Sequence, residues 1–142
     1  GNTPALRTPA TEFEQRRAEK TYIARLHGRL ADDHGTVDLP LGSDWAYRPR
    51  QKVTPDGRPA RTGWQVIDRS ETETRVRLTP HTGRSHQLRV HMLALGYPIV
   101  GDQIYAPDRA RGYPRLMLHA ETLSLHHPAT RDRVRFTAPV PF

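Results

Sequence analysis

The chain has 142 residues, 35% of them hydrophobic, no cysteine, and a formal charge of +7. That length suits one domain with a modest core, and the low apolar fraction predicts a polar segment outside it. Disulfides and thiolate metal sites are excluded. No apolar run is long enough for a membrane-spanning helix, and the positive surplus favours a phosphate-rich partner over a merely solvated basic surface.

Residues 1–11, opening "GNTPALRTPA", read as an ill-ordered lead-in. They lack the apolar stretch of a secretory signal, so a soluble cytoplasmic protein is expected. Residues 12–142 are taken as the domain. "TEFEQRRAEK" offers a short helix from Thr11 or Glu12, acidic early and basic late as the helix dipole prefers. "KTYIARLHG" reads as a strand, with Tyr22, Ala24 and Leu26 alternating against Thr21, Ile23 and Arg25 until Gly28. Residues 39–61, rich in proline and basic side chains, read as an extended loop with a Pro55-Asp56-Gly57 turn. "TGWQVIDRS" and "TETRVRLTP" read as an antiparallel pair joined by "RSETE".

A helix is expected over 84–95, because Leu88, Met92 and Leu95 fall at i, i+4, i+7 and Gly96 is placed to stop it. "RLMLHAETLSLHHP" and "DRVRFTAPVPF" close the chain as two strands. Strands mixed with few helices predict an α+β fold with a mixed, mainly antiparallel sheet.

His81, His86 and His91 recur at i, i+5, which does not stack ligands on one helix face, and no H-E-x-x-H occurs. Structural or RNA-contacting roles are expected for the histidines, and no metal site. Arg89 lies about 100° around the helix from Leu88, at the flank of the buried stripe. There a guanidinium tucked into the protein needs a carboxylate or phosphate partner. Arg84, at the helix start, is placed for phosphate. The plainer reading is two solvated arginines, and the residues alone leave the two even.

"TGRSHQLRVH" (82–91), followed by "GYPIVGDQIY" and "RLMLHAETLSLHHP", resembles the RluA family of RNA pseudouridine synthases, and "EKTYIARLHG" resembles the same family's K-x-Y strand. "DWAYRPRQKV", "DGRPARTGWQVI" and "FTAP" resemble the branch that modifies 23S rRNA and tRNA. The resemblance runs from about Glu12 to the end. It implies isomerisation of uridine to pseudouridine in structured RNA, without a cofactor. It implies Tyr22 as the tyrosine that stacks on the target uracil and Arg89 as the arginine that pairs with the catalytic aspartate. Leu118 becomes active-site packing. Lys20, Arg48, Arg50, Lys52, Arg84 and His86 become candidate RNA contacts.

One part of the family pattern is missing. The nucleophilic aspartate belongs to an H-R-L-D-x-x-T-S-G motif ahead of the K-x-Y strand, and that motif does not occur in these 142 residues. "HGRLADD" (27–33) has the wrong spacing, lacks the threonine-serine-glycine, and follows Tyr22. Asp32 and Asp33 read as loop residues, and Asp102 matches the family's structural G-D motif. The expectation is therefore a partial catalytic domain with Arg89 left unpaired. It would be less stable than a complete domain, or self-associating along an exposed sheet edge. A non-catalytic RNA-binding module derived from such an enzyme is the alternative.

Overall fold

The computed structural model describes residues 18–126 and 133–142; the lead-in and the helix expected from Thr11 or Glu12 lie outside them. The described strands are β1 (Ala18–His27), β2 (His34–Asp38), β3 (Leu41–Ser43), β4 (Gln51–Val53), β5 (Arg61–Arg69), β6 (Glu73–Pro80), β7 (Leu118–His126) and β8 (Arg133–Thr137). Six form one sheet in the order β2-β5-β6-β1-β7-β8, and β3 and β4 form a separate two-stranded ribbon. Every pair is antiparallel. The α-helix of the described residues, α1, runs Gln87–Leu95. None of their helices is long and apolar enough to cross a membrane.

The alternating strands pair as their patterns demand. Tyr22 and Ala24 of β1 lie opposite Leu78 and Val76 of β6, and Trp64 of β5 lies opposite Leu78. These residues turn one face of the sheet to α1, where Ala24, Leu26, Trp64, Val76, Leu78, Leu88, Met92 and Ile99 form a buried cluster. Each large apolar side chain sealed there contributes roughly 1.5–3 kcal/mol. The β5–β6 turn is held by Ser70, whose Oγ accepts from the Thr72 and Glu73 amides.

The opposite face carries ion pairs. Arg25 donates to Glu73 at 2.8 and 3.0 Å, Arg77 to Glu121 at 2.9 and 3.0 Å, and Arg75 to Asp68. Asp33 lies in an exposed loop bonded to Arg69, in keeping with its reading as a loop residue.

Three segments depart from expectation. Strand β2 has no counterpart in the sequence pattern: its burial alternates, but the inward positions are Gly35 and Val37, so only one apolar side chain marks it. It docks because Gly35 lies against the Trp64 ring, where a Cβ would come within 2.5 Å of Cζ2. Residues 39–61 are not one extended loop. Strands β3 and β4 pair Leu41 with Val53 and Ser43 with Gln51 around a single 3-10 turn, Trp45–Tyr47. Three-residue strands are too short to show a period. Finally, α1 begins at Gln87 rather than residue 84, because His86 adopts the left-handed conformation (φ 55°, ψ 19°). That conformation is unusual for a residue with a side chain. The helix ends as expected: Gly96 takes φ 97° and donates to Leu93 O, while Tyr97 donates to Met92 O.

Helix α1 is buried on two sides. Leu88 and Met92, with Leu95 alongside, face the sheet as the spacing predicts. Val90 and Leu93 lie about 140–200° around the axis from Leu88 and join Leu41, Ala60 and Tyr105 in a second cluster under the ribbon. Arg89 lies between these two faces.

Candidate active site and RNA interface

Arg89 is not unpaired. Its Nε and Nη2 donate to Asp102 Oδ2 and Oδ1 at 2.9 and 2.6 Å, a two-pronged bond. Asp102 is 0% exposed and the Arg89 side chain 17%. The loop after α1 delivers the carboxylate through Gly101, at φ 80°, where a Cβ would stand 1.9 Å from Arg115 O. Asp102 Oδ1 also accepts from the Ile104 and Tyr105 amides at 3.0 Å. Burial would push the Asp102 carboxyl up. The Arg89 guanidinium and the two amides outweigh it and hold the group below the usual carboxylate range. Arg89 is pushed up by its bond to Asp102. Among the described residues, Arg89 Nη1 makes no hydrogen bond. The expectation of an unpaired Arg89 fails because a buried arginine requires a carboxylate, and the G-D motif, read from sequence as purely structural, supplies one.

Tyr105, three residues beyond Asp102, joins this pair to the ribbon. The Gln51 amide of β4 donates to the Tyr105 hydroxyl at 2.9 Å, and that hydroxyl lies 2.6 Å from His86 Nδ1. Burial, with Arg89 nearby, holds His86 low and keeps the imidazole neutral. The Arg89 guanidinium lies 5.2 Å from the Tyr105 ring centroid and that of Arg50 lies 5.6 Å from it. Two arginines thus share one aromatic ring.

Gln87 and His91 fix the helix against β5. Gln87 Oε1 accepts from Thr82 Oγ1 and the Arg84 amide, and Nε2 donates to Arg61 O and Thr62 Oγ1. His91, fully buried, bonds Leu39 O through Nε2 at 2.9 Å and Thr62 Oγ1 through Nδ1 at 2.7 Å. A carbonyl only accepts, so Nε2 carries the proton and Nδ1 accepts from the threonine. Burial pushes the imidazole down and keeps it neutral. His91 is a structural side chain. Among the described residues no group of three or more His, Cys, Asp or Glu converges to hold a metal.

The other expected site residues divide by place. Tyr22 and Leu118 are half-buried beside the sheet-side cluster, and the β1–β7 register shifts between Thr21 and Tyr22. Such a bulge re-aims a strand side chain. Arg48 and Lys52 are exposed on the ribbon, whereas Arg50 is half-buried against Tyr105. Arg84 donates from Nε to Pro59 O, a structural contact. Lys20 is exposed near the start of β1. Sequence reasoning missed Asp102 as the partner of Arg89, and missed Tyr105 and Gln87 altogether. Asking which acidic residue follows the helix most closely finds Asp102.

The profile of the RNA pseudouridylate synthase family matches residues 1–94. The dual-specificity RNA pseudouridine synthase RluA of Pasteurella multocida is 52% identical over 92% of this chain, and that of Escherichia coli K12 is 51% identical over the same share. The chain spans 61% of the length of each. The solved structure of human RNA pseudouridylate synthase domain containing 1 matches 96% of this chain and 62% of its own, with TM-score 0.80 and 31% identity. Human RNA pseudouridylate synthase domain containing 4 matches 93% of this chain and 61% of its own, with TM-score 0.76 and 26% identity. The chain belongs to the RNA pseudouridylate synthase family. It corresponds to part of an RluA-type domain.

Proposed function

We propose that the chain is the uridine-positioning part of a pseudouridine synthase acting on 23S rRNA, tRNA or both. The observation that carries this is the buried Arg89–Asp102 pair, set in the G-R-x-H-Q-L-R helix motif with one guanidinium edge still open. Pseudouridine formation breaks the N1–C1′ bond, turns the base, and joins C5 to C1′. Arginine stays protonated and cannot be the nucleophile. In this reading a carboxylate from a segment outside these 142 residues supplies that step, and Arg89 Nη1 holds it. Asp102 keeps the guanidinium aimed, and Tyr22 stacks on a uracil flipped out of its helix. Arg48, Arg50 and Lys52 hold the RNA backbone.

Tritium release from [5-³H]uridine-labelled 23S rRNA and tRNA transcripts tests this. The product of the whole source gene should turn over, and Arg89→Gln and Tyr22→Leu should each remove activity while retaining RNA binding. Full activity in both variants would refute the assignment. Charge reversal at Arg48, Arg50 and Lys52 should flatten the salt dependence of binding by about 0.7–0.9 logarithmic units for each phosphate no longer neutralised. A second reading, a binding module without catalysis, is favoured by one fact: Arg89 already has a carboxylate partner in Asp102. Binding without tritium release by the whole gene product would select it.

A further inference from the structure

The ribbon carries two large aromatic side chains that neither core cluster uses. Trp45 is 73% exposed and Tyr47 64% exposed, both in the 3-10 turn between β3 and β4. Two exposed aromatic rings on one short turn are the kind of surface that binding sites use. The Arg48 guanidinium lies 4.4 Å from the Trp45 ring centroid and covers one face. With that exposure, the second face is open to solvent. The turn is closed by backbone bonds from Tyr47 N to Asp44 O, Arg50 N to Tyr47 O and Asp44 N to Arg50 O. It is fastened to the Arg89 site, because Gln51 donates to Tyr105.

We propose that the Trp45 ring, backed by Arg48, is a nucleobase-stacking subsite for an unpaired nucleotide flanking the modified uridine. The inference rests on the RNA-enzyme reading above but assigns a site that reading does not contain. The chemistry favours a base over an apolar protein surface. A cation on one face of an aromatic ring suits a π-face on the other, and the exposed Arg48 and Lys52 put positive charge on the same ribbon for the phosphate such a nucleotide carries. Every base offers a π-face, so the subsite adds affinity with little sequence preference. Base identity is left to whatever surrounds the flipped uridine.

The test separates stacking from charge. Binding of the whole chain to a fluorescein-labelled single-stranded oligouridylate and to a blunt RNA duplex is measured across a salt series. Trp45→Ala should weaken single-strand binding about tenfold, the scale of one base–aromatic stack, and leave the salt slope and duplex binding unchanged. Trp45→Phe should recover most of the affinity. The oligouridylate should quench tryptophan emission in the unsubstituted chain and not in Trp45→Phe, which retains only the buried Trp64. Unchanged melting of the variants shows that the fold is intact. Normal binding by Trp45→Ala, or equal losses on single strand and duplex, overturns the stacking subsite alone. A chain that binds neither RNA overturns it together with the RNA-binding reading.

Discussion

The two sides of helix α1 are built in opposite ways. Toward the sheet, Leu88 and Met92 meet Leu26, Val76, Leu78 and Ile99 in a dry apolar layer. Toward the ribbon, a few apolar residues share space with the hydrogen-bonded sets Gln51–Tyr105–His86 and Arg89–Asp102, and beside them His91 bonds Thr62 of β5 and the Leu39 carbonyl. The first side fixes where the helix lies, through area removed from water, and tolerates substitutions that keep volume. The second fixes where a guanidinium points, and every member depends on its partner. Position comes from packing here, and aim comes from polar bonds.

Substitutions can break that division. The largest expected effect is on the polar side. Asp102→Ala strands Arg89 and should cost about 3–5 kcal/mol, read by urea denaturation. The double variant Arg89→Met/Asp102→Leu should regain much of it. A double variant as unstable as the single one would mean that the pair is not the cause. Met92→Ala opens a cavity on the apolar side and should cost about 2–5 kcal/mol, whereas Met92→Leu should cost under about 1.5 kcal/mol. His91→Phe leaves the Leu39 carbonyl without its donor and should cost about 1–3 kcal/mol.

Acid should act through the polar bonds around α1 and leave its apolar layer untouched. His91 has a lowered folded pKa, so its contribution is complete above about pH 6.5, the unfolded value. It is lost as pH falls through the lower folded value. Asp102 is also lowered, so its contribution is complete above about pH 4 and is lost below that. Denaturation midpoints recorded from pH 8 to pH 3 should fall in two stages, and His91→Phe should shrink the first, to which His86 and His27, also held low, contribute the rest. A single stage shared by both proteins would assign the loss elsewhere.

This contrast also explains what could be read in advance. The sheet-side stripe of α1 and strands β1, β5 and β6 carry apolar periods long enough to show in one dimension. The ribbon side has no period. It is assembled from Leu41, Ala60, Val90 and Tyr105, four residues from four segments. Its polar bonds span 13 to 54 positions. The motif resemblance pointed to Arg89 and to the family. The resemblance described a partner for Arg89 that the chain lacks, and so hid the partner it has. The left-handed turn at His86 has no sequence signal of its own, since residues with side chains seldom adopt it.

The ion pairs on the far face of the sheet have a consequence for how the molecule meets a polyanion. Arg25, Arg75 and Arg77 are each cancelled at close range by Glu73, Asp68 and Glu121. Arg48 and Lys52 of the ribbon form no salt bridge among the described residues. The charge of these three arginines is therefore opposed at close range, and that of the two ribbon cations is not. On the RNA-binding reading, a nucleic acid meets this unopposed charge on the ribbon, the element that carries Trp45 and is bonded to Tyr105.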